Sequence, residues 1–574
     1  MKQIQRLPIP PLDQSIDQYL ERIRPLVSPD IYKESYQKCE KFKSGGGKQL
    51  HSLLENWDKK DGVENWLVSF WDEAYLAYRS GINGNVNYIM TLDDAQIPRF
   101  ESFAGYCANL VAGLSDIYCQ IADGTLDKDV PVCTYQYPFV FKSCRIPREK
   151  EDEIFVGESS RRNNYVLILR GGNMYCLPVT GKSGEVFSPA QLAPGISEIL
   201  NLKDAAGLNV GALTTAPRAD ASKLRDAIIK LDSRNQDNFR KIDSALFALC
   251  IDEPEDSRSN SQTTFDILYG QGKNRYFDKC FQLIVGTDYS AGFNFEHAGY
   301  DGSVGFSMMA HLYRRLKEAQ ATESKPATAP EAEKLEWVSD ENIRNAIGRM
   351  ESDGKQRGSQ LHVRMKRFEN FGKNGIKELK ASPDAFFNLA LQLAWHRLSG
   401  RVNNTYEAVS MQHYYQGRTE CARPSTSQAK EFVEAASQGA SSEKLASLAR
   451  SAFDRHTAML GECRQAAAPE RYLFGLQMMQ SMNSIKLAQD EDIFSCEAYQ
   501  TLKRDIISAS GLGAEFVGVF AYAPVAADGF GVGYGVCADD IRLGVSCFES
   551  NKGRIDSFVA EIENALLDLR EILK

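Results

Sequence analysis

Histidine is scarce in this chain: 574 residues contain seven. Cysteine is more frequent, but its thirteen copies, scattered from Cys39 to Cys547, form no Cys-x-x-Cys pair and no short Cys/His cluster. That scatter and odd count exclude a disulfide framework and a zinc site, and fit reduced thiols in a reducing compartment. No metal is therefore expected. Long apolar runs are also missing; ALFALCI at 245–251 falls far short of the roughly 20 residues that cross a bilayer. The opening MKQIQRLPIPPL has no apolar signal core and the closing EILK is not a peroxisomal tripeptide, so no transmembrane segment and a cytoplasmic location are expected. Nor is there a surplus of positive charge. With 67 Lys and Arg against 76 Asp and Glu, the net charge is −9 and the pI is near 5.6, which argues against nucleic acid or an anionic membrane as main partner. A local basic patch for a phosphorylated small molecule remains compatible with that balance.

What is present is an ordinary globular composition, 43% hydrophobic and 25% charged, in a chain too long for one core, so two domains are expected. Strand-like runs rich in Val, Ile, Phe and Tyr occur at 165–170, 246–251, 280–286, 516–522 and 541–548. Helix-period segments occur at 221–232, 305–320, 384–398 and 556–574, the last with Phe558, Val559, Ile562, Leu566, Leu569 and Ile572 on one stripe. Their interleaving indicates an α/β chain. The stretch EAQATESKPATAPEAEKLE, about 318–336, has no apolar period and reads as a linker or surface excursion, placing a boundary near 340.

Among the histidines, His396 lies in an apolar helix and reads as packed or capping. His51, His311, His362, His413 and His456 lie in polar helical contexts that suggest solvated rings. His297 differs. A strand-like run leads into FEHAGYDG, where Gly299 and Gly302 allow a tight turn and Asp301 stands four residues on, able to orient the ring or stabilise its charge. The alternative is a structural loop histidine. The glycines of DGFGVGYGV at 528–536 alternate with Phe, Val and Tyr and run towards another strand, which favours a close-packed hairpin over a dinucleotide loop. Lys373, Lys377 and Lys380 are either a solvated face or a phosphate-binding patch. STSQ at 425–428 is read as a helix N-cap, with no chemistry assigned.

Taken together, several separated segments resemble the choline/carnitine O-acyltransferase family nearly end to end. They are LPIPPLDQSIDQYL, GKNRYFDKCFQLIV followed by FEHAGYDG, FGKNGIKELKASPDAFFNLALQLA, TYEAVSMQHYYQGRTECAR and PVAADGFGVGYGV. The resemblance implies two similar α/β lobes with an active-site tunnel at their interface, residues 71–340 forming one and residues 1–70 with 341–574 the other. It implies a monomer acting on carnitine and acyl-CoA, with coenzyme A as co-substrate and no permanently bound cofactor.

By the same resemblance His297, with Asp301 beside it, is the general base. Ser510, the last serine of Ser508-Ala509-Ser510, is the oxyanion donor. Tyr406, Thr419, Arg471, Ser508 and Tyr522 form the carnitine site, the first three meeting the carboxylate that choline lacks. Lys373, Lys377 and Asp384 meet coenzyme A. Phe520 occupies the position where longer-chain members carry a tunnel-opening glycine, which implies acetyl or propionyl donors. The chain departs from the family pattern at Ala509, at Gly511, where a glutamine is usual, and at Cys421. A choline-specific member, a medium-chain carnitine member and a coenzyme A-binding protein without catalysis are the alternatives.

Overall fold

The computed structural model describes residues 4–81, 86–254, 258–270, 272–318 and 329–574. Two mixed sheets organise it. The larger has eight strands in the order Val517–Tyr522, Tyr88–Leu92, Ala291–Phe295, Phe281–Gly286, Ala248–Asp252, Tyr165–Arg170, Asn173–Pro178 and Glu333–Lys334. The smaller has six, in the order Leu361–Phe368, Ile541–Phe548, Phe530–Val536, Ile507–Gly511, Thr405–Ser410 and Thr419–Ala422. In each sheet the middle strands run parallel and the outer ones antiparallel. The expected α/β class is the observed one, and all five strand runs and all four helix segments form within a few residues of their expected limits.

The central strands read as continuous apolar runs because both faces are covered by helices, as parallel strands require. Phe281–Gly286 is buried at every position. The larger sheet is flanked by helix Phe103–Ala122 and by Gly302–Glu318, whose Val304, Met308, Met309, Leu312 and Leu316 face the core. The smaller sheet packs against Pro383–Ser399 and Ile555–Leu573, where the predicted C-terminal stripe is buried except for the half-exposed Ile572. The N-terminal helices Leu12–Ile23, Pro29–Ser44 and Gly46–Asp58 share a core with Pro469–Met482 and Glu497–Lys503. Of the segment read as a linker, residues 319–328 lie outside the described residues. Beyond them Glu333–Lys334 adds an edge strand, Lys334 facing Tyr175.

Chain order and sheet membership part at one place. Val517–Tyr522, from the C-terminal half, pairs antiparallel with Tyr88–Leu92 of the larger sheet. Its backbone also lies against the smaller sheet, where a Cβ added at Gly533 would sit 2.0 Å from the Phe520 carbonyl oxygen and one at Gly544 2.4 Å from it. The alternating glycines therefore let two strand backbones approach, and Phe530–Val536 does form an antiparallel hairpin with Ile541–Phe548. Thr426 caps helix Ser427–Ser437 through the Ala429 amide at 3.1 Å, as the STSQ reading expects. Two histidines expected to be solvated are not. His311 is buried against Asp127 and His456 against Asp384, each within 2.9 Å, because their helices turn those positions inward.

Candidate active site

Between the two sheets lies a cavity of about 470 Å³. Strand Ala291–Phe295 ends there, and the loop that follows delivers His297 and Asp301 to its wall. Glu296 anchors this loop from behind: its carboxylate accepts the Ala298 amide at 3.0 Å and pairs with buried Arg145 at 3.3 Å.

The imidazole has a defined tautomer. His297 Nδ1 lies 2.9 Å from the carbonyl oxygen of Tyr300. A carbonyl only accepts, so Nδ1 carries the hydrogen and Nε2 keeps its lone pair. The rings of Tyr75 and Tyr88, at 5.1 and 4.9 Å between centroids, pack against the imidazole. Burial pushes the His297 pKa below its usual range; Asp301 and the Tyr300 carbonyl pull it up, and Arg418 pushes it down.

Asp301 makes no hydrogen bond to the ring among the described residues. Its carboxylate accepts from Arg418 Nε at 2.9 Å and from Gln136 Nε2 at 3.1 Å, and its amide donates to Gln136 Oε1 at 2.8 Å. Arg418 also donates to the Ala298 carbonyl at 3.0 Å and pairs with Asp72. Of the two roles considered for Asp301, ring orientation belongs instead to Tyr300. Field tuning and loop anchoring are what the geometry gives the aspartate.

Across the cavity, Arg471 is 5% exposed on helix Pro469–Met482. Its Nη2 donates to Tyr406 Oη at 3.0 Å and Thr419 Oγ1 at 3.2 Å, its Nε donates to the Thr419 carbonyl at 3.0 Å, and its guanidinium stacks on Trp71 at 3.9 Å. No carboxylate pairs with it among the described residues. Glu420 accepts the Arg471 backbone amide at 3.3 Å, and burial raises its pKa to about 7 despite Arg471. The cavity thus holds a buried cation whose own side-chain hydrogen bonds go to two hydroxyls and a carbonyl.

Ser508 and Ser510 stand on Ile507–Gly511, and Phe520 and Tyr522 on the crossing strand; all four line the cavity. The Tyr522 hydroxyl donates to the carbonyls of Ser508 at 2.9 Å and Val532 at 3.1 Å, which fixes its ring as a wall. Phe520 is 5% exposed and packs edge-on to Tyr88 at 6.0 Å.

Nine of the predicted site residues therefore converge on one cavity: His297, Asp301, Ser510, Tyr406, Thr419, Arg471, Ser508, Tyr522 and Phe520. Lys373, Lys377 and Asp384 do not line it. The two lysines are exposed on the short helix Lys373–Glu378. Asp384 is not paired with them; it accepts from Tyr534 Oη at 2.7 Å and meets His456 Nε2 at 2.8 Å. The Tyr534 hydroxyl reaches Glu407 as well. Ligand atoms of Asp384, Glu407 and His456 lie within 4.8 Å of one another, a grouping that the sequence reading did not foresee. Burial and the neighbouring Asp384 hold the Glu407 pKa well above the usual range.

Sequence reasoning missed Arg418, although its Gly-Arg-Thr segment was quoted. Gln136, Trp71, Tyr75 and Tyr88 carried no signal at all, since nothing in their own segments points to a cavity formed from distant parts of the chain.

With this geometry established, the chain was compared with known proteins. The model for choline/carnitine O-acyltransferases matches residues 7–564. Carnitine O-acetyltransferase of Rattus norvegicus is 29% identical over 593 residues, spanning 99% of this chain and 93% of the relative. Mitochondrial carnitine O-palmitoyltransferase 2 of Macaca fascicularis is 28% identical over 614 residues, spanning 99% and 92%. These two relatives use acyl groups of very different length yet are about equally similar.

Proposed function

The chain belongs to the choline/carnitine O-acyltransferase family, and on that premise we propose that it transfers a short acyl group, acetyl or propionyl, between coenzyme A and the 3-hydroxyl of carnitine. One observation carries the choice of alcohol: the buried Arg471 guanidinium, held by Tyr406, Thr419 and Trp71 and lacking a carboxylate partner among the described residues. A buried cation demands an anion, and carnitine brings a carboxylate where choline brings none.

The reaction follows from the tautomer. His297 Nε2 removes the hydroxyl proton as the alkoxide oxygen attacks the thioester carbonyl. The Ser510 hydroxyl donates to the oxyanion of the tetrahedral intermediate. The C–S bond then breaks, and His297 returns the proton to the departing thiolate. No covalent acyl-enzyme is formed, in keeping with the thirteen cysteines all being buried. The depressed pKa keeps the imidazole neutral and ready at neutral pH. Tyr522 walls the trimethylammonium end. Lys373 and Lys377 meet the phosphate end of coenzyme A, with Asp384 nearby.

Acyl length is read from Phe520, whose ring fills the space where a glycine would open a tunnel. The lobe division at 71–340 against 1–70 with 341–574 belongs to this reading, with Val517–Tyr522 crossing between the sheets. Among the described residues no helix is long and apolar enough to cross a membrane. A panel crossing acetyl-, octanoyl- and palmitoyl-CoA with carnitine and choline tests the whole assignment. Acetyl-CoA with carnitine is expected to give the highest kcat/KM. Preference for choline overturns the role of Arg471, and preference for octanoyl- or palmitoyl-CoA overturns that of Phe520.

A further inference from the structure

A second pocket, of about 220 Å³, opens where Thr405–Ser410, Ile507–Gly511 and Phe530–Val536 begin. It shares no lining residue with the catalytic cavity, although the two alternate along one segment: Lys503 and Asp505 face the cavity, Thr501, Arg504 and Ile506 the pocket. Its charge is one-sided. Arg401, Arg504 and Arg554 line it with a single acid, Asp528, which pairs with Arg504 at 2.6 Å. Among the described residues Arg554 donates only to neutral oxygens, the Leu398 carbonyl at 3.3 Å and Asn551 Oδ1 at 3.4 Å. Arg401 is exposed and has no ion pair among the described residues.

Two residues of the pocket wall carry buried, unsatisfied polar atoms. Trp395 and Asn404 line it at 3% and 2% exposure. Among the described residues, Trp395 Nε1 and Asn404 Oδ1 are buried without a hydrogen-bond partner. The Asn404 amide cannot be turned round, because its Nδ2 already donates to the Leu502 carbonyl at 2.6 Å and to Asp505 Oδ1 at 3.1 Å. An unpartnered indole N–H calls for an acceptor, and an unpartnered amide oxygen calls for a donor.

Three guanidinium groups, a spare N–H and a spare acceptor together describe a tetrahedral oxyanion that keeps a hydroxyl. We propose that this pocket binds a phosphate-class anion, monohydrogen phosphate or a hydroxylated phosphate monoester, at a site separate from the catalytic cavity and from Lys373 and Lys377. The separation is built into the sheet. The pocket lies at the start of Phe530–Val536, whereas Lys373 is pinned beyond its end, its amide donating to the Cys537 carbonyl at 2.7 Å. A strand of that length separates the two by roughly 20 Å at about 3.3 Å per residue. Arginine forks bind such oxyanions with two parallel hydrogen bonds, which a chloride ion cannot reproduce.

Isothermal titration of inorganic phosphate into the full chain tests this, with coenzyme A saturating and ionic strength matched with chloride. A saturable site is expected, weakened at least about tenfold by Arg401→Met and kept by the Lys373→Ala/Lys377→Ala double variant. Arg401 is exposed, so its replacement should leave the melting curve unchanged, and Arg554→Met gives a second reading. Absence of saturable binding to the parent chain, binding indifferent to both arginine variants, or binding lost with the lysines overturns the proposal.

Discussion

His297 Nδ1 lies 2.9 Å from the carbonyl oxygen of Tyr300, three residues further along the same loop. This contact fixes the hydrogen on Nδ1 and leaves Nε2 as the basic atom facing the cavity. Arg418 holds the loop that makes it, reaching both the Asp301 carboxylate and the Ala298 carbonyl.

The pH dependence of kcat/KM follows from that arrangement. The base must be neutral, and burial lowers the His297 pKa, so the acidic limb is expected below the ordinary imidazole value of about 6.5. Asp301 favours the charged ring. Asp301→Asn should therefore move the limb to still lower pH, while kcat falls roughly tenfold, on the scale of about 1.4 kcal/mol, as the loop loses its anchor. A pH–rate profile of both proteins checks the shift; a limb moving to higher pH would contradict it.

Arg471→Asn should raise the carnitine KM by roughly ten- to hundredfold, the loss of a charged hydrogen-bond partner, and leave the acyl-CoA KM nearly unchanged. Initial-rate kinetics with each substrate varied in turn separate the two. Equal rises in both would place Arg471 in the scaffold alone.

Ser510→Ala should lower kcat by about 10²–10³-fold, the usual effect of removing one oxyanion donor, with little change in either KM. Ser508→Ala is expected to act mainly on the carnitine KM. The opposite pattern would exchange the two roles.

Phe520→Gly should raise the ratio of octanoyl-CoA to acetyl-CoA turnover, since the ring that packs against Tyr88 would be removed. An unchanged chain-length profile would take Phe520 out of the specificity argument.

Gly533→Ala should destabilise the protein by about 3 kcal/mol, the upper end of the usual overpacking range, because its Cβ would lie 2.0 Å from the Phe520 carbonyl oxygen. Gly535→Ala is expected to be milder, its nearest atoms lying 3.1 Å away. Thermal denaturation of the two variants compares them directly.

The sequence by itself determined the secondary elements, because apolar period and strand-forming composition are local properties: Tyr165–Arg170 and Ile541–Phe548 formed where they read as strands. It also supplied much of the cast of the cavity: the quoted family segments carry His297, Asp301, Tyr406 and Thr419, and the same resemblance adds Arg471 and Ser510. Only the tertiary structure decided what those residues do to one another. It gave the orientation of His297 to a backbone carbonyl and not to Asp301, a choice that depends on how a glycine-flanked loop turns. It brought in Arg418, Gln136 and Trp71, whose partners are far away in the chain, and it turned His456 inward onto Asp384. Such long-range pairings depend on which faces two sheets bury, and no local pattern of residues encodes that.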